Sequence, residues 1–273
     1  MKTYTVQRGD TLRGIALMFY GDASKFTIIA DQNNINSPFT IFVGQSLEIP
    51  DLGGLGGGAD GGLRNYHSAF AGGVRWRLTD QGVEIEGSGI ERTPGNPVTI
   101  TRIWEEFNNP INDWADFYNV PCALIIAIIA TESSGNPRAI RFEPRYTSDS
   151  ATPHQVSVGL MQTLISTARG TLNSNAIDRE FLFVPSNSIK AGTSYIAEQR
   201  SRTALDPPKV ACAYNAGGVY ENQSSGNRWR MRQYPIGTSK HCDRFVKWFN
   251  DAVFVLKNTS RIVRLPYDNF YFA

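Results

Sequence analysis

Glu132 stands at the end of a run of hydrocarbon. The stretch ALIIAIIATES, from Ala123 to Ser133, puts this carboxylate three and four positions after Ile129 and Ile128. Residues at that spacing share a helix face, so both isoleucines flank the glutamate. An apolar face disfavours the ionised form and raises the pKa. A carboxyl that keeps its proton near neutral pH is what a general acid needs to protonate a glycosidic oxygen. Two further short motifs follow in order, Gly159-Leu160-Met161-Gln162 within SVGLMQTLISTAR and Ala213-Tyr214-Asn215-Ala216-Gly217 within ACAYNAGG. Hydrolysis of a glycoside normally takes a second carboxyl, about 5–5.5 Å or ~6.5–9.5 Å away according to stereochemistry. Glu143, in RFEPRY, is the nearest candidate, with Asp149 and Glu198 behind it. Between Arg141 and Arg145, Glu143 reads as a paired structural carboxylate.

The elements that must position these groups can be outlined from the rest of the chain. With 273 residues, 41% hydrophobic and 19% charged, the chain can bury a sizeable core in one large domain or two unequal ones. A net charge of +2 gives no concentrated basic face, so no nucleic-acid partner is expected. The longest apolar run, Cys122 to Ala130, is roughly half the ~20 residues that a membrane span requires. MKTYTVQRGDTL lacks an apolar leader segment, and synthesis in the cytoplasm without a signal peptide is expected. Cys122, Cys212 and Cys242 have no metal or disulfide-scaffold spacing, and His67, His154 and His241 no ligand spacing, so no metal or cofactor is expected. Cys122 and Cys212 read as small buried apolar residues; Cys242 is left open.

The first fifty residues read as a β-α-α-β unit. TYTV alternates like a strand, Asp10 or Thr11 caps a helix carrying Leu12, Ile15, Ala16 and Phe19, a second helix carries Phe26, Ile29 and Ala30, and QSLEIP closes the unit. Residues 51–63, with seven glycines, read as a flexible linker. Alternation from Val74 to Ile85 around Asp80-Gln81-Gly82 predicts a hairpin. Beyond Thr101 the signals are mostly helical: 123–131, 163–172, 186–202, 208–213 and 241–256, with a polar loop over 137–158. The last segment, RIVRLPYDNFYFA, reads as strand-like, packing back on its own domain or docking on a partner. The expected organisation is multidomain: a small α+β unit at 1–50, the linker at 51–63, a hairpin connector at 64–100, a mainly α-helical domain at 101–257 and an aromatic tail at 258–273.

In order and spacing, the three motifs together resemble the soluble lytic transglycosylase (SLT) family of the lysozyme superfamily, over roughly Ile111 to Val255. The resemblance implies a lysozyme-like domain that cleaves the MurNAc-GlcNAc bond of peptidoglycan. In that family one glutamate, here Glu132, acts first as acid to the leaving sugar and then as base to the C6 hydroxyl of the same muramic acid, closing an anhydro ring without external water. Carried over by motif, Ser133 would bond near the glutamate or the substrate. Gly159, Leu160, Met161 and Gln162 would line the sugar subsites, and Tyr214 would orient Glu132 through its hydroxyl. Asn215, Ala216 and Gly217 would lie against the glycan, with Gly218 beside them in a tight turn. Many members carry a Tyr-Val pair in the last helix; here Phe245-Val246 stands in that place.

Tyr4 to Pro50 closely resembles a LysM domain, keeping Gly-Asp-Thr-Leu, Asn-x-Ile and the Gly-Gln-x-Leu-x-Ile-Pro ending. The resemblance implies binding of N-acetylglucosamine-containing glycan by Gly9, Asp10, Thr11 and Leu12 on one side and Asn34, Ile35 and Pro38 on the other. Asp10 and Thr11 serve equally well as a capping pair. The alternative is docking on protein, as in LysM-like modules of phage tails, which SPFTIFVGQSLEIP also resembles. The expected setting is therefore the bacterial cell wall, reached as a virion tail or baseplate component. Peptidoglycan strands are the expected partner, and tail-tube or baseplate proteins would meet the LysM unit or the C-terminal tail. Two rivals keep the fold: a structural baseplate protein with a vestigial glycan site, and a water-using muramidase with Glu143 as second carboxylate. The run Arg228, Arg230, Arg232, Lys240 and Arg244 is expected as a solvated face, or as a cradle for stem-peptide carboxylates.

Overall fold

The computed structural model describes residues 2–7, 9–20, 25–36, 39–50 and 62–272. The N-terminal unit runs β1 (Lys2–Thr5), α1 (Leu12–Tyr20), α2 (Phe26–Gln32), β2 (Ser46–Ile49), with β1 and β2 antiparallel and Lys2 opposite Ile49. Thr11 starts α1: its Oγ1 accepts the Gly14 N–H at 3.0 Å, satisfying one of the amides a helix start leaves open. Leu12, Ile15 and Ala16 of α1 then close a small core with Ile29, Leu47 and Ile49. The Asn33 side chain pairs with the backbone of Glu48 in both directions, at 2.6 and 2.7 Å, tying the end of α2 to β2.

The expected hairpin is present as β3 (Trp76–Thr79) and β4 (Gly82–Ile85), with Asp80-Gln81 as its turn, and a third short strand, β5 (Gly89–Ile90), extends it. The helical domain comprises α3 (Val98–Tyr118), α4 (Cys122–Ser133), α5 (Ile165–Thr171), α6 (Arg179–Phe183), α7 (Pro185–Glu198), α8 (Arg200–Thr203), α9 (Pro207–Ala216), α10 (Lys240–Asn258) and α11 (Tyr267–Tyr271). Every residue of α4 from Cys122 to Thr131 is buried. A helix apolar on all sides has to be enclosed, and α3, α7 and α10 pack around it. α3 leaves helical geometry at Phe107, where Pro110 lacks an amide to donate and its ring crowds the preceding turn. Asn250 of α10 accepts the Val83 N–H at 2.7 Å, stitching the hairpin onto the domain.

Two expectations are overturned. The stretch 137–158 is not all loop: β6 (Ile140–Phe142), β7 (Val156–Val158) and β8 (Thr163–Leu164) form an antiparallel sheet in that order. Strands of two or three residues are too short for period-2 alternation to register. The tail is not a strand either. Pro266 leads into α11, which places Tyr267 and Tyr271 four apart on one buried face. Tyr267 meets the Phe249 ring at 5.7 Å and the Tyr271 hydroxyl donates to the Leu205 carbonyl, so the tail is folded onto its own domain. All three cysteines, Cys242 included, are buried and form no disulfide, the Cys242 thiol lying in hydrogen-bond contact with Cys212.

Residues 51–61 of the expected linker lie outside the described residues, as does Pro38. Leu63, placed at the linker's end, already belongs to the helical domain, its carbonyl accepting the Leu78 N–H at 2.6 Å. The N-terminal unit is docked on that domain through α1. The buried Arg200 guanidinium donates to the Phe19 carbonyl at 2.6 Å and to the carbonyls of Tyr118 and Asn119 at 2.7 and 2.8 Å. Beside it Lys2 donates to Asn119, and the Tyr4 ring meets Phe117 edge-on at 6.4 Å.

Candidate active site

α4 ends because Ser134 and Gly135 both turn left-handed, at φ 52° and 81°. Gly135 is confined as well: a Cβ there would come within 2.8 Å of Ile103. This stop leaves Glu132 in the last turn of an enclosed helix, its side chain only 16% exposed. It opens onto a cleft of about 620 Å³ formed by β6 to β8, the end of α9, and Tyr195 and Tyr234. Burial pushes the Glu132 carboxyl up to about 7, against the opposing pull of Arg244 and Arg141. The C-terminal end of the α4 dipole acts in the same direction as burial.

The motif residues divide into those that face the cleft and those that hold it. Gln162, Tyr214, Asn215, Ala216 and Gly217 line it. Asn215 accepts the Tyr234 N–H on Oδ1 at 2.5 Å, which leaves its amide nitrogen as the donor for an acceptor in the cleft. Gln162 sits at φ 47° and donates to the carbonyls of Ala139 and Gly159 at 2.9 and 3.0 Å, while its oxygen faces the Ser157 hydroxyl at 3.3 Å. Its amide is thus spent bracing the loop.

Leu160 and Met161 do not line subsites; both are fully buried. Met161 fills the notch that Gly192 leaves, where an added Cβ would fall 2.5 Å from its sulfur. Gly159 lies beneath the cleft for a similar reason. Its φ is +77° and a Cβ would sit 2.2 Å from the Leu182 carbonyl, so only glycine fits. Ser133 turns away from the cleft: its hydroxyl donates to the Leu160 carbonyl at 2.6 Å and accepts the Gly135 N–H at 3.2 Å, fastening the end of α4 to the motif loop.

Tyr214 does not hydrogen-bond Glu132. Its hydroxyl reaches the Met161 carbonyl at 2.8 Å and the Thr163 hydroxyl at 3.1 Å, and the ring meets Tyr195 at 5.3 Å. Burial raises the phenol pKa, with the nearby Glu132 charge adding to it.

Glu143 also lines the cleft, 3.1 Å from the Arg141 guanidinium. Asp149 is held by Arg179 at 2.7 Å, and Glu198 is exposed. Phe245 is buried and stacks on Phe249.

The basic run is largely structural. Arg228 bridges Glu91 and Asp243, Arg230 donates to backbone carbonyls, and Arg232 covers Tyr220. Thr163, Tyr195, Tyr234 and His241 carry no motif and only the fold assembles them. Among the described residues no group of three or more His, Cys, Asp or Glu could hold a metal, and no helix is long and apolar enough to cross a membrane.

In the N-terminal unit, Gly9, Thr11 and Asn34 are exposed, Gly9 and Asn34 with left-handed backbone. Leu12 is 3% exposed and belongs to the core, so it cannot cover a ligand methyl. Asp10 accepts the Tyr4 hydroxyl and the Gln7 N–H, each at 2.7 Å, and Ile35 is half-buried.

Residues 109–233 match the Transglycosylase SLT domain family and residues 4–50 the LysM domain family. The chain therefore carries an SLT domain, lysozyme-like in fold, and a LysM domain. It is 34% identical over 112 residues to membrane-bound lytic murein transglycosylase C of Klebsiella pneumoniae subsp. pneumoniae, covering 37% of this chain and 28% of the relative. The protein of the same name from Salmonella typhi is 36% identical over the same length and shares. Esterase Rv1288 of Mycobacterium tuberculosis is 54% identical over 49 residues, 18% of this chain and 11% of the relative. The chain thus spans less than a third of the length of each of these curated relatives. Among solved structures, the 70 kDa soluble lytic transglycosylase of Escherichia coli superimposes with a TM-score of 0.40 at 20% identity, covering 62% of this chain and 28% of that one.

Proposed function

We propose that the protein is a peptidoglycan lytic transglycosylase whose acid and base are the same residue, Glu132. The observation that carries this is the asymmetry of the cleft: Glu132 is desolvated and held up to about 7, whereas Glu143 is in contact with Arg141. A protonated Glu132 gives its proton to the glycosidic oxygen as the C1–O bond of the muramic acid breaks. The resulting carboxylate takes the proton of the C6 hydroxyl as O6 closes on C1. No water is consumed, and an attacking group on the same sugar gains from proximity. Asn215 supplies a donor to the sugar, and Tyr214 braces the Met161–Thr163 loop behind the acid.

Digestion of purified peptidoglycan followed by mass analysis of the muropeptides tests this. Anhydro-muramic ends, one water lighter than hydrolysis products and absent with Glu132→Gln, are expected. Reducing ends would replace the reading with a water-using muramidase employing Glu143, which lines the same cleft.

The LysM unit is proposed to hold the enzyme on glycan through the exposed backbone at Gly9–Thr11 and Asn34. Attachment to a phage tail or baseplate protein is the second reading for this unit. It is favoured by Phe42 and Val43, which stand 70% and 68% exposed. In the C-terminal segment Tyr267 and Tyr271 are buried in their own domain, while Ile262 stands 78% exposed.

A further inference from the structure

The first turn of α10 brings His241 against the catalytic carboxyl. Its side chain is 4% exposed, and Nε2 lies 3.7 Å from Glu132 Oε1 with no hydrogen-bond partner of its own. The opposite edge of the ring bonds the backbone of Ala211 on α9. A backbone carbonyl only accepts, so Nδ1 carries the ring proton and Nε2 turns a lone pair toward the glutamate. This contact could be an imidazolium–carboxylate pair or two neutral groups. The ionisable side chains facing it are Arg244 from α10, Arg141 from β6 and Tyr214 from α9. β4 meets α10 further along, at Asn250. Burial, then the two arginines, hold the imidazole down to about 4, while burial holds the carboxyl up to about 7. Between those values the pair keeps one exchangeable proton, on Glu132.

Resting on the acid–base reading of Glu132, we propose that His241 is a positioning residue whose neutral Nε2 accepts the hydrogen bond of the Glu132 carboxyl. The 3.7 Å separation is a contact that closes when the cleft fills, as such bonds do on substrate binding. Before cleavage the lone pair keeps the proton on the glutamate. After cleavage it offers the carboxylate no donor, so the carboxylate stays basic enough to take the C6 hydroxyl proton. When His241 is protonated as well, its Nε2 no longer accepts from the carboxyl; its Nε2–H instead donates to the carboxylate that cleavage leaves and holds it too weakly basic to take the C6 hydroxyl proton. The wild-type rate then falls on both sides: above Glu132's pKa and again toward the pKa of His241.

The test is the pH profile of anhydro-muropeptide release by wild type, His241→Phe and His241→Asn. Both variants are expected to lose the acidic limb and about tenfold in kcat, with KM within about twofold. An acidic limb unchanged in both variants, or a loss confined to KM, would overturn the proposal. Histidine ¹⁵N NMR of the wild-type chain decides independently of whether the variants fold, with His241 assigned by its loss in His241→Phe or by elimination against His67→Asn and His154→Asn. A lone-pair Nε2 with no titration between about pH 5 and 8 is expected. A ring proton on Nε2, or an imidazolium near neutrality, would overturn it. Absence of products from wild type at every pH would instead strike the transglycosylase reading, leaving the NMR result to judge the contact.

Discussion

The two walls of the cleft each carry a glutamate, and they treat it in opposite ways. On the α4 wall Glu132 is enclosed by isoleucines and helices, with a neutral imidazole 3.7 Å away. On the β6 wall Glu143 is about a third exposed, and its neighbour is the Arg141 guanidinium at 3.1 Å. Burial favours the acid form of Glu132 although Arg244 and Arg141 pull against it, whereas Glu143 keeps contact with water and with a guanidinium. A desolvated carboxyl that keeps its proton near neutrality suits a reaction in which the same group donates and then recovers the proton.

That contrast can be broken most sharply at Glu132. Glu132→Gln should lower muropeptide release by about a thousandfold or more, the range of a lost general acid. The same substitution should stabilise the fold at neutral and alkaline pH. The folded carboxyl, at about 7, lies above its ordinary 4.5, so this group's contribution to wild-type stability is complete below pH 4.5 and is lost as pH rises through 7. Denaturant unfolding at a series of pH values should show variant and wild type diverging from pH 4.5 upward. They should differ by about 3 kcal/mol above pH 8. Tyr214→Phe removes the hydroxyl shared by Met161 and Thr163 and should cost about 1–2 kcal/mol in the same measurement. The smallest effect belongs to the other wall. Glu143→Gln, which loses only a solvent-screened pair, should leave stability within about 1 kcal/mol and product release within about twofold. A collapse of activity there would mark the second carboxylate of a hydrolase.

Much of the fold could be read along the chain because its signals are local. The α4 helix announced itself by an unbroken apolar run, the hairpin by alternation around Asp80-Gln81-Gly82, and the N-terminal unit by its turns and caps. Residues 156–158 and 163–164 escaped because strands so short owe their existence to partners, not to pattern. The tail misled because its aromatic content suggests a strand while its spacing of four suits the helix that buries Tyr267 and Tyr271.

The site divides in the same way. That Glu132 should be an acid followed from Ile128 and Ile129 at helical spacing, since neighbours three and four residues back are fixed by local geometry. Which motif residues touch the cleft did not follow. Met161 is drawn inward by the space over Gly192 and Ser133 by the Leu160 carbonyl, and both are accidents of packing between distant segments. His241 lay in the sequence without any ligand spacing. It acquires a role only when α10 crosses the end of α4, and its proton state is decided there by burial, by Arg244 on the same helix and by Arg141 from β6. Covalent order determines which groups share a helix face; the dielectric and the charges around them are set by segments that only the tertiary fold brings together.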